Sequence, residues 1–443
     1  MAATVKVKYY NTYVLKKINR DVSANISSYD WYIEESRIRG GYNNVQTGLA
    51  PRAFIVSEEN NQQVLSNSVI YSGVINSRTG INQTNVFPSG EDITRSLDPS
   101  KGSIQKLHAE DNNLVIFQER KVNRALIDKD AIYTQEGMPI QTTSNVVIGQ
   151  IQPYAGDFGI SRNPESFAVY GYQKYFTDAN KGAVLRLSMD GLTEISNYGM
   201  YDFFRDKLSS LNGGLAVGGF DVYNKCYTLS IQPSAASSDY YTLSFDEQVK
   251  GWTSFYDYRP MQMFSIRNNF FTTSNVVDPK STAINENGSL YKHYQAKTDL
   301  GIIPRARFYG VDNISSIETI FNDNPSLVKS FKTINYEGSG NWEMAVFDTD
   351  QDSASSISKF TMPTTLQEMQ NRLLKQEFKE KDGKYFANII NASLPEQGEI
   401  LYGQSMSGVK GFYGTIKMTA TNTVNTGINE LFAVSTNYSN ASY

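Results

Sequence analysis

The chain is poor in the residues on which most recognisable chemistry depends. Its one cysteine, Cys226, excludes an internal disulfide and the cysteine-based zinc patterns. Its two histidines, His108 and His293, stand in no His-x-x-x-His or His-Glu-x-x-His spacing, so a histidine metal site would need both plus carboxylates. Long apolar runs are missing as well. None approaches the roughly 18 residues of a membrane helix, and the N-terminal MAATVKVKYYNTYVLKK has no apolar core of signal-peptide length. The expectation is a soluble protein with no membrane segment, or one delivered by a route other than a signal peptide. Charge is sparse too: 19% of residues, against about 25% in an average soluble protein. With 41 basic and 45 acidic side chains the formal net charge is −4, so no basic surplus points to nucleic acid.

What is abundant is aromatic and uncharged polar. Tyrosine (29) and phenylalanine (23) lift the aromatic share to 12%, so the surface is made polar by Asn, Ser, Thr and Gln. Such side chains hydrogen-bond without the desolvation cost of full charges, which suits surfaces that other subunits will cover.

Short apolar and aromatic runs, each bounded by Gly, Asn, Asp or Pro, predict β-hairpins. In FDVYNKCYTLSI the turn cluster Asp221, Asn224 and Lys225 precedes a strand over Cys226 to Ile231. There Tyr227, Leu229 and Ile231 alternate with Cys226, Thr228 and Ser230, which predicts one apolar and one mostly polar face. YTLSFDEQVKGWTSFYDY, MFSIRNNFFTTS, with its tip at Asn268 and Asn269, and ENGSLYKHY, with an Asn287-Gly288 turn, continue the series. NNLVIFQERKVNRALID, ESFAVYGYQKYFTD and GAVLRLSMDGLTEIS precede it. Repeated hairpins without a strict period predict an irregular β-propeller over residues 51–297, a sandwich or barrel being the alternative. Residues 1–50, with Arg37, Arg39, Gly40 and Gly41, read as an extended segment, and 298–443 as a second β-rich domain. Two helices interrupt the strands. One lies around Tyr198 to Leu211, with Met200, Phe203, Phe204 and Leu208 on one side; the other spans 364–378, with Leu366, Met369, Leu373 and Leu374 at helical spacing.

No motif assigns a catalytic, cofactor-binding or metal-ligating residue, and no cofactor is implied. His108, beside Glu110 and Asp111, and His293, alternating with Tyr291, read as sheet surface. Ser161 lacks the second glycine of a nucleophile elbow, and Cys226 reads as a buried, inert thiol. Asp178 and Asp190 read as turn caps rather than calcium ligands. Gly-x-x-x-x-Gly-Lys-Ser/Thr and Gly-x-Gly-x-x-Gly phosphate cradles are missing. Arg120, Lys121 and Arg124 form too short a basic stretch for a phosphate-tracking groove.

The order of the motifs carries a resemblance. ESRIRGGYNN, KLHAEDNNLVIFQERKVNRALIDKDAIYTQEG, FDVYNKCYTLS followed by FDEQVKGWTSFYDY, NGSLYKH, SIETIFNDNPSLVKSFKTINYEGSGNW and GKYFANI together resemble the tail nozzle proteins of short-tailed phages. The nearest likeness is to the muzzle, or tail stabilisation, proteins of crAss-like Bacteroidales phages. It implies a structural, non-enzymatic virion protein, made in the host bacterial cytoplasm. In the tail it would form a ring, six copies around the axis, below the portal and its adaptor ring proteins and beside tail fibre or other tail proteins. It would retain packaged DNA and touch it only transiently as it leaves. Such proteins usually exceed 443 residues, so the resemblance implies a shortened member or one without an inserted domain. Ser234 to Ser238 and Asp348 to Ser356, rich in small residues, are the candidate gating loops. The rival readings are a receptor- or carbohydrate-binding propeller, with Tyr and Trp stacking on sugars, and a glycan-degrading enzyme.

Overall fold

The structure, a computed structural model, describes residues 65–73, 93–127, 147–211, 213–233, 239–274, 290–295, 305–361, 376–393, 408–420 and 428–441 with their side chains. It also describes the backbone of 11–18, 30–38, 128–133, 139–146 and a few shorter stretches. The chain is mainly β. It divides into two compact units, Met1–Phe220 with Cys226–Asp239 and Ser244–Thr253, and Asp221–Lys225 with Tyr240–Leu243 and Ser254–Tyr443.

Within the first fifty residues, β1 (Asn11–Ile18) and β2 (Asp30–Ile38) pair as an antiparallel ribbon. Three four-stranded sheets follow, each built from strands consecutive in the chain. The first holds β3 (Ile104–Glu110), β4 (Asn113–Gln118), β5 (Val122–Tyr133) and β6 (Pro139–Pro153). The second holds β7 (Ala168–Tyr170), β8 (Gln173–Asp178), β9 (Ala183–Ser188) and β10 (Gly191–Glu194). The third holds β11 (Leu215–Asp221), β12 (Cys226–Gln232), β13 (Tyr241–Asp246) and β14 (Gly251–Tyr256). A three-stranded sheet of β15 (Pro260–Ile266), β16 (Asn269–Ser274) and β17 (Leu290–Lys292) comes next. Turns fall between these strands: Gly171 takes φ +56° between β7 and β8, and the tip expected at Asn268 and Asn269 lies one residue earlier, at Arg267 and Asn268 with φ +48° and +62°, Asn269 opening β16. The Asn287-Gly288 turn lies outside the described residues.

The polar face expected of β12, carrying Thr228 and Ser230, is covered rather than turned to water. All seven of its residues are buried, Thr228, Ser230 and Gln232 included. The reason is that the sheets cover one another. Val115, Phe117 and Val122 of the first sheet share a core with Phe176, Leu185 and Leu187 of the second. On the second sheet's other side, the Tyr175 ring stacks on Tyr227 of β12 at 4.8 Å. The first sheet is covered on its far face as well, where Ile116, Ala125 and Ile148 meet Leu97. Interior strands therefore have no water-facing side, and their polar residues must find partners inside. The Tyr227 hydroxyl, for one, donates to the Ser166 carbonyl at 2.8 Å. The approach there is so close that a Cβ on Gly218 would sit 1.9 Å from the Ser166 oxygen.

Helix α1 (Tyr201–Ser209) is shorter than expected, because Gly199 takes φ +78° and Met200 is not yet helical. It buries Phe204 and Leu208, and Phe204 packs on Trp252 at 4.5 Å. Of the second expected helix, residues 364–375 lie outside the described residues. Its last three, 376–378, are extended: Ser358 N donates to Gln376 O and Phe378 N to Ser358 O.

The later part of the second unit is a two-sheet sandwich. One sheet orders β18 (Ile314–Phe321), β24 (Gly414–Thr421) and β20 (Trp342–Thr349). The other carries β21 (Lys379–Lys381), β22 (Lys384–Asn388), β19 (Lys329–Gly338) and β23 (Val409–Gly411), with β25 (Leu431–Asn440) also paired to β19. Between them lies one core, with Phe331, Ile334 and Tyr336 from β19 facing Trp342, Met344 and Phe347 from β20 and Ile416 and Met418 from β24. The last two strands, β24 and β25, follow one another in the chain yet belong to opposite sheets.

Candidate functional site

The sequence-selected residues are dispersed, each with a structural occupation. His108 on β3 is half-buried with its ring 5.3 Å from Phe167; burial, then Lys174, pulls its pKa down against Glu110. Ser161 is buried at φ +51°, and its hydroxyl donates to Asp178 Oδ1 at 2.7 Å. Asp178 also accepts from Gly159 N at 3.0 Å and Lys181 N at 3.3 Å, so it ties a turn together. Cys226 is buried in β12. Lys121 donates to the Gly156 carbonyl at 2.7 Å and Arg124 to Gln152 Oε1 at 2.9 Å, so both side chains are held by neighbouring residues. Among the described residues no three of His, Cys, Asp and Glu come together in a way that could hold a metal. No described helix is long and apolar enough to cross a membrane.

The first unit holds a cleft of about 300 Å³ lined by Arg186, Asp190, Thr193, Tyr198, Glu247 and Lys250 among others. Its charges are internally matched. Arg186 donates to Asp190 at 2.7 Å and to Glu247 at 3.1 Å, and Glu247 also accepts the Tyr175 hydroxyl at 2.9 Å. Burial, reinforced by Glu247, raises the Tyr175 pKa and keeps the phenol protonated. This network locks β8, β9 and the β13–β14 turn together, and among the lining residues the cations Arg186 and Lys250 match the anions Asp190 and Glu247 in number.

The second unit holds a cleft of about 220 Å³ lined by Tyr223, Asn269, Phe270, Lys292, His293, Tyr294 and Gln295. Three turns build it: the β11–β12 turn, the β15–β16 tip and the segment after β17. The Tyr223 and Tyr294 rings lie nearly parallel, 4.7 Å apart and 12° inclined. Tyr294 has φ +60°, a left-handed backbone that bulky residues rarely adopt. Its hydroxyl donates to Asp221 Oδ2 at 2.5 Å, and Asp221 is itself fixed by Tyr223 N at 2.9 Å and Asn224 N at 3.3 Å. Burial pushes the pKa of both Asp221 and Tyr294 upward. His293 corrects the expectation of an ordinary sheet surface. It lies just past β17, among Tyr258, Phe270 and Phe308, and its Nε2 is 2.7 Å from Thr272 Oγ1, which in turn meets the Tyr309 hydroxyl at 2.8 Å. Burial lowers its pKa to about 4, so the ring is neutral. Sequence reading passed over Tyr223 and Tyr294. The available signal was a tyrosine inside a turn, DVYNK, whose Asp, Asn and Lys already meet the needs of the turn.

Of the loops expected to gate, Ser234 to Ser238 lies outside the described residues. Asp348 to Ser356 is tied down: Asp350 accepts Phe412 N at 2.7 Å, Asp352 accepts Lys410 N at 2.8 Å, and Ala354 N donates to Phe347 O at 2.9 Å.

Serially stacked sheets whose polar groups are spent on one another characterise a structural β protein. The family model described as crassvirus muzzle protein matches residues 93–276, and the one described as crassvirus muzzle protein C-terminal domain matches 303–392. The chain belongs to the crassvirus muzzle protein family, and so is a structural protein of a phage virion tail. No curated protein matches the sequence. Among solved structures, an exo-β-1,3-galactanase from Phanerochaete chrysosporium with β-1,3-galactotriose is similar at 9% identity over 84% of this chain and 100% of that one. The TM-score is 0.19, too low to bear on fold or activity.

Proposed function

We propose that the chain is one subunit of a closed ring, six copies around the tail axis below the portal and its adaptor rings, that retains packaged DNA and forms its exit conduit. In this reading the protein has no catalytic task. Residues 51–297 form an irregular β-propeller, 298–443 a C-terminal β-rich domain, and 1–50 an extended arm carrying the β1–β2 ribbon. The observation that carries the propeller is the series of four-stranded sheets, each made of consecutive strands and each covering the face of the next, which is how radial repeats bury their sheets. The C-terminal family model, starting at residue 303, supports the second boundary.

Two features support assembly. The surface polarity comes from uncharged side chains, suited to hydrogen-bonded contact between two different faces of neighbouring copies. And β5 outruns its sheet: β4 pairs with it only over Val122–Leu126, while β6 accompanies it to Tyr133. A two-stranded ribbon is marginal alone in water, so this extension gains stability from something laid against it.

Multi-angle light scattering of the purified chain, with negative-stain images of the same fractions, tests the proposal. Rings with a central hole, at a multiple of 49.7 kDa, are expected, alone or on purified portal–adaptor complexes. A chain that stays monomeric under both conditions would overturn it.

A further inference from the structure

We propose that the cleft between Tyr223 and Tyr294 in the second unit is a saccharide-binding site that accepts a single pyranose residue of a glycan. This goes beyond the conduit and does not depend on it.

Four observations meet at this place. An aromatic pair stays at the surface: Tyr223 is 59% exposed and Tyr294 41%, although the fold buries Tyr175, Tyr227, Tyr258 and Tyr336 almost completely. A sugar ring offers one apolar face of C–H groups and an equator of hydroxyls, and the exposed flank of a tyrosine pair matches the first. The second observation is that the platform is preorganised. Tyr294 is held at φ +60°, a conformation that costs energy and persists only where its surroundings impose it. The imposing group is Asp221, with no exposed surface, which fixes the tyrosine hydroxyl and the Tyr223 and Asn224 amides at once. Three buried contacts thus set the angle of two surface rings, an investment that packing alone does not require.

Third, the lining matches hydroxyls rather than anions. Asn269, Gln295 and Lys292 line the same cleft, so two carboxamides, each with donor and acceptor, stand beside one cation. Among the described residues no arginine lines the cleft, so they offer no planar fork of the kind that recognises phosphate or carboxylate. His293 is neutral and faces Thr272, so it adds no second positive charge. Fourth, at about 220 Å³ the space falls below the roughly 300 Å³ where sites for drug-sized ligands begin, and so suits one sugar unit. A nucleobase could lie on the same rings, but a duplex in transit keeps its bases stacked inside.

The test is saturation-transfer NMR of the full chain with a panel of monosaccharides, followed by a glycan array. Reproducible binding of one sugar class is expected, with saturation strongest on the C–H face. Tyr223→Ala should weaken it about tenfold while lowering the melting temperature only slightly, since the side chain is mostly exposed and loses one ring contact, and Tyr223→Trp should retain it. Asn269→Ala gives an independent variant on another turn and should weaken binding as well. No saccharide signal at millimolar concentration would overturn the proposal, as would binding that survives both Tyr223→Ala and Asn269→Ala. Tyr223-dependent binding of a single-stranded oligonucleotide in place of any sugar would overturn it too.

Discussion

His293 shows how far environment, rather than residue type, decides behaviour. The unfolded chain takes up this proton near the ordinary value of 6.5, whereas burial holds the folded ring to about 4. Between those values the unfolded state binds more protons, so stability rises with pH across that window. The contribution is complete above about 6.5 and is lost as pH falls toward 4, by up to roughly 3 kcal/mol. Urea unfolding midpoints of the native chain and His293→Asn, measured from pH 7 to 4, should therefore converge as the solution is acidified. Two parallel curves would show that the ring titrates normally and is less enclosed than Tyr258, Phe270 and Phe308 make it. The local sequence marks neither histidine as interior: His108 stands in KLHAED and His293 in YKHYQ, where flanking tyrosines suit a sheet surface as well as a core, and only the long-range approach of residues 258, 270 and 308 encloses the second ring. Tyr294 was illegible for the same reason: its partner Asp221 lies 73 positions away, in a turn already explained by its own chemistry.

At the scale of elements the hairpins were legible and their surroundings were not. Turn residues such as Gly171 and Asn268 report a local backbone need, so strands and turns could be placed from the chain alone. Which face of a strand meets water depends on the neighbouring sheet, and the alternation in CYTLSI cannot reveal that Thr228 and Ser230 are covered too. Pairing partners were equally hidden. β24 and β25 follow one another, yet β24 bonds to β18 and β20 while β25 bonds to β19, a choice fixed by the shared core of the sandwich. The stretch Asp348 to Ser356 is the clearest case, since its small residues suggested mobility and its carboxylates are instead spent on the backbone of residues 410 and 412. Amide hydrogen exchange at Lys410 and Phe412 should accordingly be slow. Asp352→Ala should accelerate exchange at Lys410 and cost about 1 kcal/mol, the usual worth of such a bond. Fast exchange in the native chain would restore the loop as a candidate gate.

At the scale of the whole molecule the absence of charge becomes an argument about transport. Each phosphate neutralised by lysine or arginine adds affinity through counterion release, and affinity in a conduit is drag. A chain with a formal charge of −4 and no long basic run has no net attraction to offer a phosphate backbone. In the proposed ring, six copies would multiply the negative charge rather than reverse it. The assembled protein should thus show no measurable affinity for duplex DNA near physiological salt. Whatever binding appears at low salt should fall only gently as salt is raised, with a logarithmic slope corresponding to about one or two phosphates at most. Fluorescence anisotropy of a labelled duplex titrated with the ring at several salt concentrations measures that slope. A slope of several phosphates would mean that cations are gathered along one surface, which would turn a passive channel into a binding groove and would require retention to be explained by grip. In the proposed conduit, a shallow slope would leave retention to steric closure, by elements of the ring or by neighbouring tail proteins, because a lumen that does not hold DNA chemically can keep it inside only by being blocked.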